Sequence, residues 1–132
     1  MPEPRPRLDP SLVEEFVGRA HGDLARVTEL LATHPALANA AWDWGAGDWE
    51  TALGAAAHMG RRDIAMHLLA YGARLDIFAA AMLGHLPIVR AVIEVHPDAV
   101  TWPGPHGIPL LAHAENGGPE AAATLAYLRT RL

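Results

Sequence analysis

The chain has 132 residues, 51% hydrophobic and 19% charged, the composition of one globular domain with a continuous core. It has no cysteine, which excludes disulfides, thiolate nucleophiles and thiolate metal sites, and its ten basic residues are all arginine against a net charge of −5. The arginines are dispersed beyond the pair Arg5 and Arg7, so no basic stripe exists to neutralise phosphates and nucleic acid is not an expected partner. No apolar run approaches the roughly 18 residues of a membrane span and the N-terminus lacks an apolar signal core, so a cytoplasmic protein is expected. The all-arginine, Ala/Gly/Pro-rich usage hints at a GC-rich genome.

Residues 1–8 read as a flexible Pro/Arg-rich arm, and 9–132 as the folded part. A helix is expected over 11–20, with Ser11 and Glu14 at capping-box spacing behind Asp9-Pro10. After Gly22 a second helix carries Leu24, Val27, Leu30 and Leu31 on one face and ends at His34-Pro35. A long loop from about Ala38 to Glu50 then holds three of the four tryptophans, Trp42, Trp44 and Trp49. It leads into an alanine-rich helix over 51–58, a turn at Gly60, and a helix with Ile64, Leu68 and Leu69. The next pair follows almost without a loop, because Asp76-Ile77-Phe78 runs straight into a helix over 77–82; past Gly84 its partner carries Ile88, Val89, Val92 and Ile93. A last pair, 109–115 and the segment with Leu125 and Leu128, flanks Gly117.

The segment 21–35, H-G-D-L-A-R-V-T-E-L-L-A-T-H-P, aligns without a gap on 83–97, L-G-H-L-P-I-V-R-A-V-I-E-V-H-P. The turn glycines Gly22, Gly60, Gly84 and Gly117 stand 38, 24 and 33 residues apart, so one helix-turn-helix unit recurs with connections of unequal length. The second unit, T-A-L-G-A-A-A-H-M-G-R-R-D-I-A-M-H-L-L-A-Y-G-A, resembles the ankyrin repeat, a unit of roughly 33 residues that opens on T-P-L-H-x-A. The last unit, G-I-P-L-L-A-H-A-E-N-G, keeps Pro109, Leu110, Ala114 and Gly117 of that pattern, whereas the first and third keep only its helix-turn-helix half. The resemblance implies an all-α, ankyrin-like solenoid of about four units (9–37, 38–75, 76–100 and 101–132), with an enlarged loop before the second.

Departures locate what is unusual. Ala52 and Gly54 replace the Pro and His of the pattern in the second unit, and Ile108 and Leu111 replace its Thr and His in the fourth, so the hydroxyl–imidazole bonding between loops is largely lost. The tryptophans of the long loop stand in for part of it: Trp42 is expected to pack, and Trp44 and Trp49, flanked by Asp43, Asp48 and Glu50, to be at least partly exposed.

The resemblance implies non-catalytic recognition of another protein through loop tips and the exposed ends of first helices. Those helix ends are Ala20 and His21, His58 and Met59, Met82 and Leu83, and Glu115 and Asn116; Asp43, Trp44, Asp48, Trp49, Glu50 and His106 join them from the loops. Tryptophan and methionine are enriched at protein interfaces, and carboxylates around tryptophan favour an Arg- or Lys-containing partner surface. A monomer is expected.

Of the eight histidines, His34 and His96 read as helix C-terminal caps, and His67 and His85 as structural. His58, His106 and His113 are the candidates for metal or acid/base chemistry. None stands at metal-motif spacing, so no metal or other cofactor is expected, and a zinc site could assemble only across units. No nucleophile elbow, phosphate loop or dinucleotide fingerprint is present, and no enzyme is expected. The alternative is a small-molecule or peptide pocket under the tryptophan loop, where Glu50 or Asp48 with His58 and His106 supplies acid/base chemistry.

Overall fold

Asp9 starts the first helix of the structure, a computed structural model that describes residues 4–132. Its carboxylate accepts hydrogen bonds from the Ser11 N–H and hydroxyl, both at 3.0 Å, and α1 runs Pro10–Arg19. The cap is therefore Asp9 rather than the expected Ser11, because Pro10 fixes a helical φ at the first position and moves the start one residue earlier. Of the expected arm 1–8, residues 1–3 lie outside the described residues; 4–8 have no helix or strand, and Leu8 packs against the core.

Asp23 caps α2, Leu24–Thr33, which ends at His34-Pro35 in a 3₁₀ turn over Pro35–Asn39. The long loop forms a hairpin of β1, Ala41–Asp43, and β2, Trp49–Thr51, with Trp42 opposite Glu50 and Asp43 opposite Trp49. Its tip turns at Gly45, Ala46 and Gly47, all at positive φ, and the Asp43 carboxylate accepts the N–H groups of both glycines. Thr51 then caps α3, Ala52–His58, by accepting the Gly54 N–H at 3.0 Å.

Next come α4, Arg62–Ala70, and α5, Ile77–Leu83, whose N-cap is Asp76. α6 covers Leu86–Val95, and 3₁₀ turns follow over Pro97–Thr101 and Pro105–Gly107. α7 covers Leu110–Asn116 and α8 covers Ala122–Arg129. The chain is predominantly helical, with the hairpin as the one named sheet among the described residues. No helix of the described residues is long and apolar enough to cross a membrane.

The helices pair as α1/α2, α3/α4, α5/α6 and α7/α8, with α3 packed against α1, α5 and α7. Alanine makes this approach possible: Ala55, Ala56 and Ala57 of α3 and Ala79, Ala80 and Ala81 of α5 are all fully buried. Larger residues fill the layer behind, Phe16, Leu31, Leu53, Ile64 and Leu68 in one cluster and Val89, Ile93, Leu110 and Leu128 in a second. Contact between α5 and the last pair reaches the backbone. A Cβ on Gly117 would overlap the Met82 carbonyl, and one on Gly84, whose φ is +79°, the Glu120 carbonyl.

Candidate functional site

Strand alternation in the hairpin sorts its side chains. Trp42 and Glu50 sit opposite each other and so share one face, which turns toward the helices; Asp43 and Trp49 share the other. Trp42 packs on the core and Glu50 is 1% exposed, whereas Trp49 is 60% exposed. Trp44, two residues beyond Trp42, lies on the Glu50 side and donates its indole N–H to Glu50 Oε1 at 2.9 Å.

Three imidazoles close on the same carboxylate. His21 Nε2, from the turn after α1, stands 3.1 Å from Glu50 Oε1. His58 Nε2, from the last turn of α3, stands 3.0 Å from Glu50 Oε2, and His106 Nε2, from the loop before α7, stands 3.1 Å from the same oxygen. One ligand atom from each of the four residues can be chosen so that all lie within 4.8 Å of one another. The ends of α1 and α3 meet because those helices are neighbours. His106 arrives through a tight loop closed by the Gly104 N–H to Ile108 carbonyl bond, with His106 itself at φ +60°.

The outer nitrogens of two rings are anchored. His21 Nδ1 lies 2.9 Å from the Gly18 carbonyl oxygen and 3.1 Å from that of Val17, acceptors that require the proton on Nδ1. His106 Nδ1 lies 2.7 Å from Asp48 Oδ2, and the His106 backbone N–H donates to Asp48 Oδ1 at 2.8 Å. Asn116 donates to the His58 carbonyl at 2.6 Å, tying the end of α7 to the end of α3.

Burial pushes the Glu50 carboxyl up, but the imidazoles of His21 and His58 and the Trp44 N–H outweigh it and hold the group at about 2. The Glu50 carboxylate in turn raises His21, against the opposing effect of burial. The His106 backbone N–H and then its ring hold the Asp48 carboxyl below its ordinary value.

Beside the hairpin lies a cleft of about 460 Å³ whose lining includes Asp48, Trp49, Asp76, Phe78, Pro103 and Pro105. Among the described residues, no basic side chain lines it.

The expected contact residues therefore separate. Trp44 (39% exposed), Trp49, Met59, His106, Glu115 and Asn116 reach the surface, and Asp48 does so in part. Glu50, Met82 and Leu83, expected to meet a partner, do not. Glu50 faces the helices because of its strand register, and Met82 and Leu83 are 0% and 4% exposed because the last helix pair packs over the end of α5. Ala20 is likewise fully buried. Asp48, Glu50, His58 and His106, the expected acid/base set, are brought together; His113 is not, being fully buried beside Phe78 with ring centroids 4.9 Å apart.

His21 is the member of the cluster that the histidine pattern passed over. Its signal was its place just before the turn glycine Gly22, one position past the equivalent of His58 before Gly60. In the comparisons with known proteins, no family model, no curated protein and no solved structure matches the chain.

Proposed function

We propose that the chain is an ankyrin-like α-solenoid that recognises another protein, without catalysis, by taking a basic side chain of that partner into the cleft beside the tryptophan hairpin. The cleft carries this reading. The carboxylate of Asp76, that of Asp48 already bonded to His106, and two aromatic side chains line a cavity with no basic side chain among its lining residues, a combination that favours ion pairing and cation–π attraction to Arg or Lys. Four helix pairs with glycine turns, and alanine-rich first helices in the middle two, support the solenoid part of the reading. Exposed Met59 adds apolar surface outside the cleft.

Acid/base catalysis has less support. A carboxyl held at about 2 is a weak base and stays ionised near neutrality, so Glu50 cannot donate a proton there.

The test uses two peptides that differ only in arginine or its neutral isostere citrulline, titrated against the intact chain with tryptophan fluorescence and calorimetry. The arginine peptide should bind at least tenfold more tightly, and Trp49→Ala or Asp76→Asn should remove that preference. Equal binding of the two peptides, or binding indifferent to both substitutions, rules the reading out.

A further inference from the structure

We propose that His21, His58, His106 and Glu50 form a binding site for one divalent transition-metal ion, with zinc the best chemical fit. The inference is independent of the cleft and of what the cleft binds.

Proton positions carry the argument. The Nδ1 atoms of His21 and His106 face only acceptors, two backbone carbonyls and the Asp48 carboxylate, so each holds its proton there. In the neutral rings Nε2 then carries a lone pair, and each Nε2 lies 3.1 Å from a Glu50 oxygen. Such acceptor atoms repel one another unless something positive lies between them. Glu50 Oε2 and His58 Nε2 are buried and lack a directed hydrogen bond, although they are 3.0 Å apart. Close atoms that fail to align as donor and acceptor are the arrangement expected of ligands sharing an ion.

The distances come close. Metal–nitrogen and metal–oxygen bonds of about 2.0–2.2 Å in a tetrahedron separate ligand atoms by about 3.3–3.6 Å. The three nitrogen–oxygen separations here are 3.0 to 3.1 Å and all four ligand atoms lie within 4.8 Å of one another, so the side chains would have to close in by roughly an ångström to hold the ion in a tetrahedron. The surroundings have the form of a metal site's outer shell: a carboxylate and backbone carbonyls orient two ligating rings, and the Trp44 indole N–H fixes the carboxylate. Three imidazoles and one carboxylate suit zinc and its first-row neighbours, and they disfavour magnesium and calcium, which prefer oxygen. The four ligands come from two helix pairs, the hairpin and the loop before α7, so the ion would also clamp the hairpin and that loop to the ends of α1 and α3.

The experiment takes the full chain stripped with chelator and measures zinc by calorimetry, bound metal by elemental analysis after gel filtration, and the visible spectrum with cobalt. One ion per chain should be retained, cobalt should give the intense bands of a low-coordinate nitrogen–oxygen site, and zinc should raise the melting temperature. Glu50→Gln, which keeps the side chain's shape, and His106→Asn, on a partly exposed loop, should each weaken zinc binding at least a hundredfold. Circular dichroism of the metal-free variants checks that they still fold. His34→Ala with His96→Ala, remote from the cluster, should change nothing. Retention of no ion by the stripped wild-type chain, or zinc binding by folded Glu50→Gln and His106→Asn equal to wild type, overturns the site.

Discussion

Asp48 and His106, 58 residues apart, are joined twice: the His106 backbone N–H donates to Oδ1 at 2.8 Å and its ring nitrogen lies 2.7 Å from Oδ2. Asp48 is also a lining residue of the cleft, and His106 turns its other nitrogen to the buried Glu50. The cleft and the imidazole cluster thus share one wall, the hairpin, with tryptophans divided between its two sides.

That division separates Trp44 from Trp49. Trp49→Ala should change stability by no more than about 0.5 kcal/mol, as an exposed side chain does. Trp44→Phe removes the N–H that satisfies a buried carboxylate and should cost about 1.5–3 kcal/mol in urea or thermal melts, toward the lower figure because the indole is part-exposed. Among single-tryptophan variants, iodide should quench the one keeping Trp49 most strongly.

His113 should make the metal-free protein acid-sensitive. Burial lowers its pKa below 6.5, with the Pro109 carbonyl and Asp76 only partly opposing. The folded state therefore binds this proton less readily than the unfolded chain. Stability from the neutral ring is present above pH 6.5 and is lost as pH falls toward the depressed folded value. Melting temperatures with chelator present should fall less steeply from pH 7 to pH 5 in His113→Asn than in wild type, even if the variant is less stable at pH 7.

Two glycines with similar backbones should respond differently to a methyl group. Gly72, at φ +91°, has open space where a Cβ would stand, so Gly72→Ala should cost about 1–2 kcal/mol of left-handed strain alone. Gly84, at φ +79°, faces the Glu120 carbonyl, and Gly84→Ala should add overpacking for a total of about 2–5 kcal/mol. Equal losses in denaturant titrations would contradict the backbone contact between α5 and the last helix pair.

A chain ending at residue 100 should lose cooperative melting. α7 packs on α5, and Ala80, Ala81 and Met82 are fully buried in the intact fold. Calorimetry of the fragment should show a broad or absent transition, and its gel-filtration profile should shift toward larger species as apolar surface is exposed.

The helices were legible because their signals are local. Apolar spacing in Val27, Leu30 and Leu31, or in Val89 and Ile93, marks a buried face within a few turns of chain, and Gly22, Gly60, Gly84 and Gly117 mark where each pair bends. Repetition of that pattern also made four helix pairs legible. The hairpin's existence was not: the loop was read as tryptophan-rich, but its register depends on which residues meet across the turn. Register decides everything about Glu50. One residue of slip would place it outside with Trp49, and instead it lies inside with Trp42. Glu50, His58 and His106 could be singled out by residue type, yet their convergence on one point with His21 comes from helix packing and loop closure across 85 residues of chain, from His21 to His106. Local pattern fixes which elements form, whereas the distances between their side chains depend on how the elements pack, and that is why the tertiary structure alone assembled the site.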